Sequence, residues 1–210
     1  MQAAAVRSRV ALTLAALAAA GTMGAAPAGP ATDALTAVTE QDAPLASYAV
    51  PVRMDVRLHR FFTVHVHFDG MQYFRRPGRV ALDIRQIPKQ YRSVFADLGT
   101  PLTWPARYDL RAATAPDGRA QIDGVPKHAC DVQRMTIDAV REPGAPLHAL
   151  FTMRDGGTID MHITQRMVDG YELPTHTEAD MVFGAYRIRA SIDYGTYAVN
   201  EDFADSVFDA

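Results

Sequence analysis

A turn flanked by two alternating segments constrains the fold of this chain most strongly. Pro77 and Gly78 stand between Met71–Arg75 and Val80–Arg85, and both flanking segments carry apolar residues at alternating positions. Proline presets φ at the first corner of a type II turn, and glycine tolerates the positive φ of the second corner. We therefore predict an antiparallel β-hairpin that reverses direction within Arg76–Arg79.

The same alternation continues on both sides of the hairpin. Apolar residues recur at every second position from Tyr48 to Leu58 and again from Phe62 to Phe68, where His65, His67 and Asp69 take the opposite face. Alternation of this kind indicates strands with one buried face. Further strands, separated by turn residues, are predicted at Tyr108–Ala113, Ala120–Val125, Val132–Val140, Leu147–Arg154, Thr158–Met167, Tyr171–Phe183 and Ala185–Ile192.

Short connections between successive strands favour antiparallel neighbours. We therefore predict a mainly β fold in which about 10–11 strands form one highly curved antiparallel sheet, an incomplete or half-open barrel with an apolar concave face. Two short helices are expected to pack in or over that face. One runs from Ala34 to Thr39 behind Asp33, and the other occupies 88–98, where Tyr91, Val94, Phe95 and Leu98 have helical spacing.

The N-terminal residues have the pattern of an export signal. Arg7 and Arg9 precede the uncharged segment Val10–Ala20, and Ala26-Pro27-Ala28 offers a small-residue cleavage site. The apolar segment is shorter than the roughly 20 residues that span a bilayer. We predict a secretory signal peptide at 1–28, a single mature domain at 29–210, and a periplasmic location without a lipid anchor.

Composition argues against several classes of partner. The formal net charge is −3, and removal of the two signal-peptide arginines takes it to about −5, without the basic surface that nucleic acid or an anionic membrane requires. Cys130 is the only cysteine, so no intramolecular disulfide can form. We expect it to be a small buried apolar residue, and we expect no nucleic-acid partner.

Several short segments then resemble a known family. The hairpin from Gly70 to Arg79, followed by Ile87-Pro88, resembles an element of the LolA/LolB-like superfamily of periplasmic lipoprotein carriers and lipoprotein-sorting proteins. Leu173-Pro174, Ala185–Ile192, Tyr197–Asn200 and Phe208 resemble its closing strands and tail. The resemblance implies a half-open barrel that holds a lipid or lipoprotein acyl chain beneath a helical lid. It further implies an inner- or outer-membrane protein that donates or receives the cargo.

The carrier hypothesis predicts which residues line the cavity and its mouth. Expected lining residues are Val64, Val66, Phe68, Tyr91, Phe95, Trp104 and Met161. Arg75, Arg76 and Arg79 are expected to contact a polar ligand group at the cavity mouth, the alternative being a solubilising turn. In this interpretation the protein is not an enzyme and has no cofactor.

Two alternatives remain open at this point. The same fold could serve as an envelope sensor that binds a partner protein. A metal-dependent enzyme could instead be centred on His65, His67 and Asp69, but same-face side chains on one strand stand about 7 Å apart, so another ligand, such as His59 or His162, would have to come from a neighbouring strand. We favour a solvated polar face there and expect no metal.

Overall fold

A computed structural model of the chain describes residues 29–40, 45–84, 98–139 and 146–208. Strands make up 61% of the structure, which is therefore mainly β, as predicted. The helical elements are α1 (Pro30–Glu40), a 3₁₀ turn (Pro101–Thr103) that continues into α2 (Trp104–Arg107), and a C-terminal 3₁₀ helix (Asp205–Phe208). The strands are β1 (Ser47–His59), β2 (Thr63–Arg75), β3 (Arg79–Asp83), β4 (Tyr108–Thr114), β5 (Ala120–Pro126), β6 (Val132–Asp138), β7 (Leu147–Met153), β8 (Thr158–Val168), β9 (Tyr171–Phe183), β10 (Tyr186–Tyr194) and β11 (Ala198–Val199).

One antiparallel sheet contains all of these strands. Its order is β3-β2-β1-β10-β9-β8-β7-β6-β5-β4, and β11 pairs with β1. Two meanders, β1–β3 and β4–β10, are thus joined by the pairing of the first strand with the tenth. Among the described strands, β3 and β4 are the edges of the sheet, which is not closed into a barrel; this confirms the predicted open architecture.

The register keeps apolar residues on one face across the whole sheet. Met54 lies opposite Phe68 on one side and Ile192 on the other, and Val56 lies opposite Val66 and Ala190. Directly opposed residues of antiparallel strands share a face. We call this the inner face; α1 packs on it through Ala34, Leu35 and Val38, and the residues between, such as Asp55 and His67, form the outer face.

Two buried clusters occupy the inner face. The first extends over β5–β9 and includes Trp104 and Phe151; the second lies around β1 and includes Tyr48 and Phe74. Aromatic contacts hold the β1 cluster together. The ring of Tyr48 stacks on that of Phe74, with centroids 5.1 Å apart, and forms a T-shaped contact with Tyr197, with centroids 5.2 Å apart. The inner face therefore provides the hydrophobic core of the domain.

The predicted hairpin is confirmed, but its turn type was wrong. Strands β2 and β3 pair up to Arg75 and Arg79, whereas the Arg76–Pro77 peptide bond is cis and Gly78 lacks a positive φ. The reason for glycine at position 78 is a close approach: a Cβ there would lie 2.9 Å from the Cβ of Ala106. A contact with a distant segment, and not the left-handed conformation, requires this glycine.

Other boundaries differ in smaller ways. Helix α1 begins at Pro30 instead of after Asp33, because proline suits the first helical position, where its missing N–H costs nothing. Strand β2 continues through Gly70, where a Cβ would lie 2.4 Å from the carbonyl oxygen of Asp83. The predicted signal peptide at 1–28 and, apart from Leu98, the predicted helix at 88–98 lie outside the described residues.

Candidate functional site

The inner face is partly exposed near the β1–β2 turn. We define the open apolar patch as Val56, Leu58, Val64, Val66, Phe68 and Ile188. Val66 is 38% exposed, and the other five side chains are half-buried. The strands align them in cross-strand pairs, with Leu58 opposite both Val64 and Ile188. The three β2 residues predicted to line a cavity therefore lie together on the inner face.

Trp104 and Met161 lie deeper than the open apolar patch. Trp104 is fully buried, donates a hydrogen bond from Nε1 to the carbonyl oxygen of Leu98 at 3.0 Å, and meets Phe151 edge to face at 6.1 Å. Met161 is 9% exposed and belongs to the same cluster. Both side chains are part of the core in this state. Tyr91 and Phe95, the remaining predicted lining residues, lie outside the described residues.

The three predicted mouth arginines contact other parts of the chain. The guanidinium of Arg75 lies 2.5 Å from the carboxylate of Asp205 and also bonds to the carbonyl oxygen of Phe203. Arg79 donates to the same carboxylate at 3.1 Å and lies over the ring of Phe208. Arg76 donates from Nε to the carbonyl oxygen of Leu45 at 2.6 Å. Arg75 and Arg79 thus fasten the C-terminal 3₁₀ helix to the hairpin, and a ligand contact from any of the three stays a prediction.

Known structures share this arrangement of strands. A LolA superfamily protein from Nitrosomonas europaea superposes with a TM-score of 0.55 at 12% identity, over 85% of this chain and 96% of that one. An outer-membrane lipoprotein-sorting domain from Vibrio parahaemolyticus gives 0.57 at 8% identity, over 84% and 94%. A DUF1329 family protein from Desulfovibrio piger gives 0.56 at 12% identity, over 87% and 97%.

The chain has a LolA-like fold. At these identities the likeness establishes the fold alone, and no family model and no curated protein matches the sequence. Within the described part of this LolA-like chain, no helix is long and apolar enough to cross a membrane.

An aromatic tip projects beside the open apolar patch of the LolA-like sheet. Phe61 and Phe62, in the turn between β1 and β2, are 85% and 72% exposed. The guanidinium of Arg60 lies over the rings of Phe61 and Tyr186, at 5.0 and 4.7 Å from their centroids, and donates to the Tyr186 hydroxyl at 2.8 Å. Our sequence reasoning placed Phe62 in a strand and missed this tip; the signal was the break in alternation at Arg60-Phe61-Phe62.

The outer face does not assemble the metal site considered at His65, His67 and Asp69. His67 contacts Asp55 at 2.8 Å and Asp69 at 3.6 Å, but His65 does not join them. His162 lies on β8, which is not adjacent to β2, so it cannot complete that group. Among the described residues, the side chains that come within ligand distance of one another are His148, Asp160 and His162. Sequence reasoning missed this group because its members come from two strands.

Three tyrosines near β1 have an unusual environment. Burial raises the pKa values of Tyr48, Tyr194 and Tyr197, because a phenolate in the apolar cluster would lose its hydration. Tyr48 accepts a hydrogen bond from Gln72 at 2.7 Å, and Tyr197 donates to the carbonyl oxygen of Pro174 at 2.5 Å. These hydroxyls are partnered inside the domain, which makes them structural groups.

Proposed function

We propose that this protein is an exported carrier that holds a lipid or lipoprotein acyl chain against the inner face of its sheet. The observation that carries the proposal is the open apolar patch, where aliphatic side chains of β1, β2 and β10 remain partly exposed in register. The similarity to a lipoprotein-sorting domain from Vibrio parahaemolyticus supports the same class of cargo. The predicted signal peptide at 1–28 supports a periplasmic location.

Binding would rest on removal of alkyl groups from water. Each buried CH₂ contributes about 0.8 kcal/mol, so a few methylenes covered by the patch already provide useful affinity. Among the described residues of β1 and β2, the neighbours of Val66 on the inner face are Val56, Val64 and Phe68, which bring neither charge nor hydrogen-bonding groups. Such a surface suits an alkyl chain and does not discriminate strongly between chain lengths. In this proposal Trp104 and Met161 continue the apolar inner face beyond the patch.

The proposal involves no covalent chemistry, and delivery would depend on a donor or an acceptor for the cargo. An inner- or outer-membrane protein is the expected partner in that exchange. The aromatic tip stands at the same end of the sheet as the open apolar patch, since Arg60, Phe61 and Phe62 connect the strand ends that carry Leu58 and Val64. A partner that docks on the tip would therefore sit next to the bound chain.

The tip also favours a second candidate function. Exposed aromatic residues with an adjacent arginine are typical of binding hot spots between proteins. A sensor that binds an envelope protein through Phe61 and Phe62 would need no lipid at all. The two candidates therefore differ in whether an apolar ligand accompanies the purified protein.

Native mass spectrometry after detergent-free purification of the mature protein from periplasm tests the proposal. Copurifying phospholipid, fatty acid or acylated protein, identified by organic extraction, is the expected result. The apo protein would then be titrated with a fluorescent fatty acid and with a diacylated lipopeptide. A ligand-free mass together with no response to either probe would refute the carrier and favour the partner-binding sensor.

A further inference from the structure

Two histidines stand directly opposite each other on the outer face of β7 and β8. His148 is the cross-strand partner of His162, so both side chains project from the same face. Their rings are nearly parallel, with centroids 4.8 Å apart and an interplanar angle of 16°. Asp160, two residues before His162, shares that face and lies 3.4 Å from the Nε2 atom of His162. This pair is on the opposite side of the sheet from the open apolar patch.

Both ring nitrogens of His148 face carboxylates. Nδ1 lies 2.9 Å from Oδ2 of Asp138, and Nε2 lies 2.9 Å from Oδ1 of Asp160. A neutral imidazole carries one N–H and one lone pair. If Nδ1–H donates to Asp138, the lone pair on Nε2 points at a carboxylate oxygen, which is repulsive. The geometry therefore calls for a cation between Nε2 and Asp160, either a proton or a metal ion.

The second imidazole favours a metal ion. Two imidazole nitrogens and one carboxylate oxygen form a donor set that suits divalent zinc, copper, nickel and iron. The three ligand atoms of His148, Asp160 and His162 all lie within 4.8 Å of one another. In a tetrahedral zinc site with bonds of about 2.0–2.1 Å, neighbouring ligand atoms stand about 3.3 Å apart. The observed separations of 2.9 and 3.4 Å from the Asp160 oxygen fall on either side of that value. The two imidazole nitrogens, which lie within 4.8 Å of each other, would turn towards the ion when it binds.

The surroundings also match what a metal-bound histidine needs. A carboxylate on the far ring nitrogen fixes the tautomer and orientation of the ligand, and Asp138 occupies that position on His148. The side chains of His148, Asp160 and His162 are 30%, 45% and 52% exposed, so an ion can enter from solvent and water can complete its coordination. Glu178, the cross-strand partner of His162, adds a further carboxylate beside the group.

We propose that His148, Asp160 and His162 form a binding site for a divalent transition metal ion, with Zn²⁺ as the test ion and Asp138 as the positioning residue. The ion would tie β7 to β8 on the outer face and leave its remaining positions open to solvent. This proposal uses no residue of the open apolar patch, so it does not depend on the carrier function.

Other outer-face histidines provide matched controls. His176 also lies between two carboxylates, with Nδ1 2.7 Å from Asp193 and Nε2 3.7 Å from Glu178. His67 has the same arrangement with Asp55 and Asp69. Neither is grouped with a second histidine among the described residues. A histidine between two carboxylates is thus common on this face, and what distinguishes the proposed site is its second imidazole.

Isothermal titration of the chelator-treated full mature chain, purified without a polyhistidine tag, tests the site with Zn²⁺. We expect one equivalent to bind, with loss of binding in the His148→Ala and His162→Ala variants. Asp138→Asn should weaken affinity about 10–100-fold, as is typical for the partner of a ligating histidine. His176→Ala should bind as the unchanged protein does. With Co²⁺, the unchanged protein should give a visible d–d absorption band that the His148→Ala variant lacks.

Several outcomes would overturn the proposal. Absence of Zn²⁺ binding would refute the metal site. Equal losses in His176→Ala and His162→Ala would indicate non-specific binding to outer-face carboxylates. Because all four substituted residues are partly or largely exposed, thermal melting should show that each variant remains folded.

Discussion

Val66→Asp should weaken acyl-chain binding strongly while leaving the fold intact. Val66 is 38% exposed on the inner face and lies opposite Val56. Full burial of a valine side chain contributes about 1.5–3 kcal/mol, so covering the exposed part of Val66 is worth about 0.6–1.1 kcal/mol. Loss of that contribution alone would weaken binding about threefold to sixfold, since about 1.4 kcal/mol corresponds to a factor of ten.

The charge adds a larger penalty than the lost contact. In the ligand-free protein the carboxylate of Val66→Asp can remain hydrated, because the site is partly open. An alkyl chain over it would strip that water, which costs several kcal/mol for an ion without a partner. No cation is placed among the adjacent inner-face residues Val56, Val64 and Phe68 to offset this cost. We therefore expect affinity to fall by at least about 100-fold.

His65→Asp is the matched control for this experiment. His65 directly precedes Val66 on β2, but its side chain projects from the outer face, opposite Arg57. Displacement of a fluorescent fatty acid would be measured for the unchanged protein and both variants, with thermal melting as the test of folding. Equal affinity of the folded Val66→Asp variant and the unchanged protein would refute the placement of the acyl chain on the open apolar patch.

Three further predictions concern the fold. Phe151→Ala should lower the free energy of unfolding by about 3–5 kcal/mol, because the ring is fully buried against Trp104. Leu150→Ala, on the outer face, should lower it much less in the same urea titration. Equal losses would contradict a core confined to the inner face. The contribution of the buried tyrosines to stability should be constant below about pH 10 and fall above it, because unfolded tyrosines then release protons that Tyr48 and Tyr197, with raised pKa values, still hold. Tyrosinate absorbance that rises fully before the circular dichroism changes would argue against this. Arg75→Ala should speed hydrogen exchange in the C-terminal 3₁₀ helix, because it removes the ion pair between Arg75 and Asp205. Unchanged exchange would show that other contacts hold this helix in place.

Much of the architecture could be predicted because strands are indicated by the local alternation of apolar and polar residues. The strand around Val64, Val66 and Phe68 places these residues on one face in any antiparallel arrangement, and the structure puts that face inward. The glycine of the hairpin shows the limit of such reasoning. Its role depends on the approach of Ala106, a residue far along the chain that no local pattern indicates.

The interpretation of single polar residues depended still more on distant contacts. The arginines of the hairpin looked like candidates for a ligand, but Arg75 meets Asp205, which is 130 positions away in the sequence. In the same way, nothing local to His148 or His162 distinguishes them from the other histidines of the chain. Their proximity follows from the register between β7 and β8.

The sequence by itself therefore determined the mainly β class, the positions of most strands and which side chains of one strand share a face, because a period of two is a property of neighbouring residues. The tertiary structure alone decided that β1 joins β10, that α1 and Trp104 fill the inner face, and that two histidines meet beside a carboxylate. Those features depend on which strands become neighbours and in what register. That choice is made by the packing of the whole apolar face, to which residues far apart in the chain contribute together.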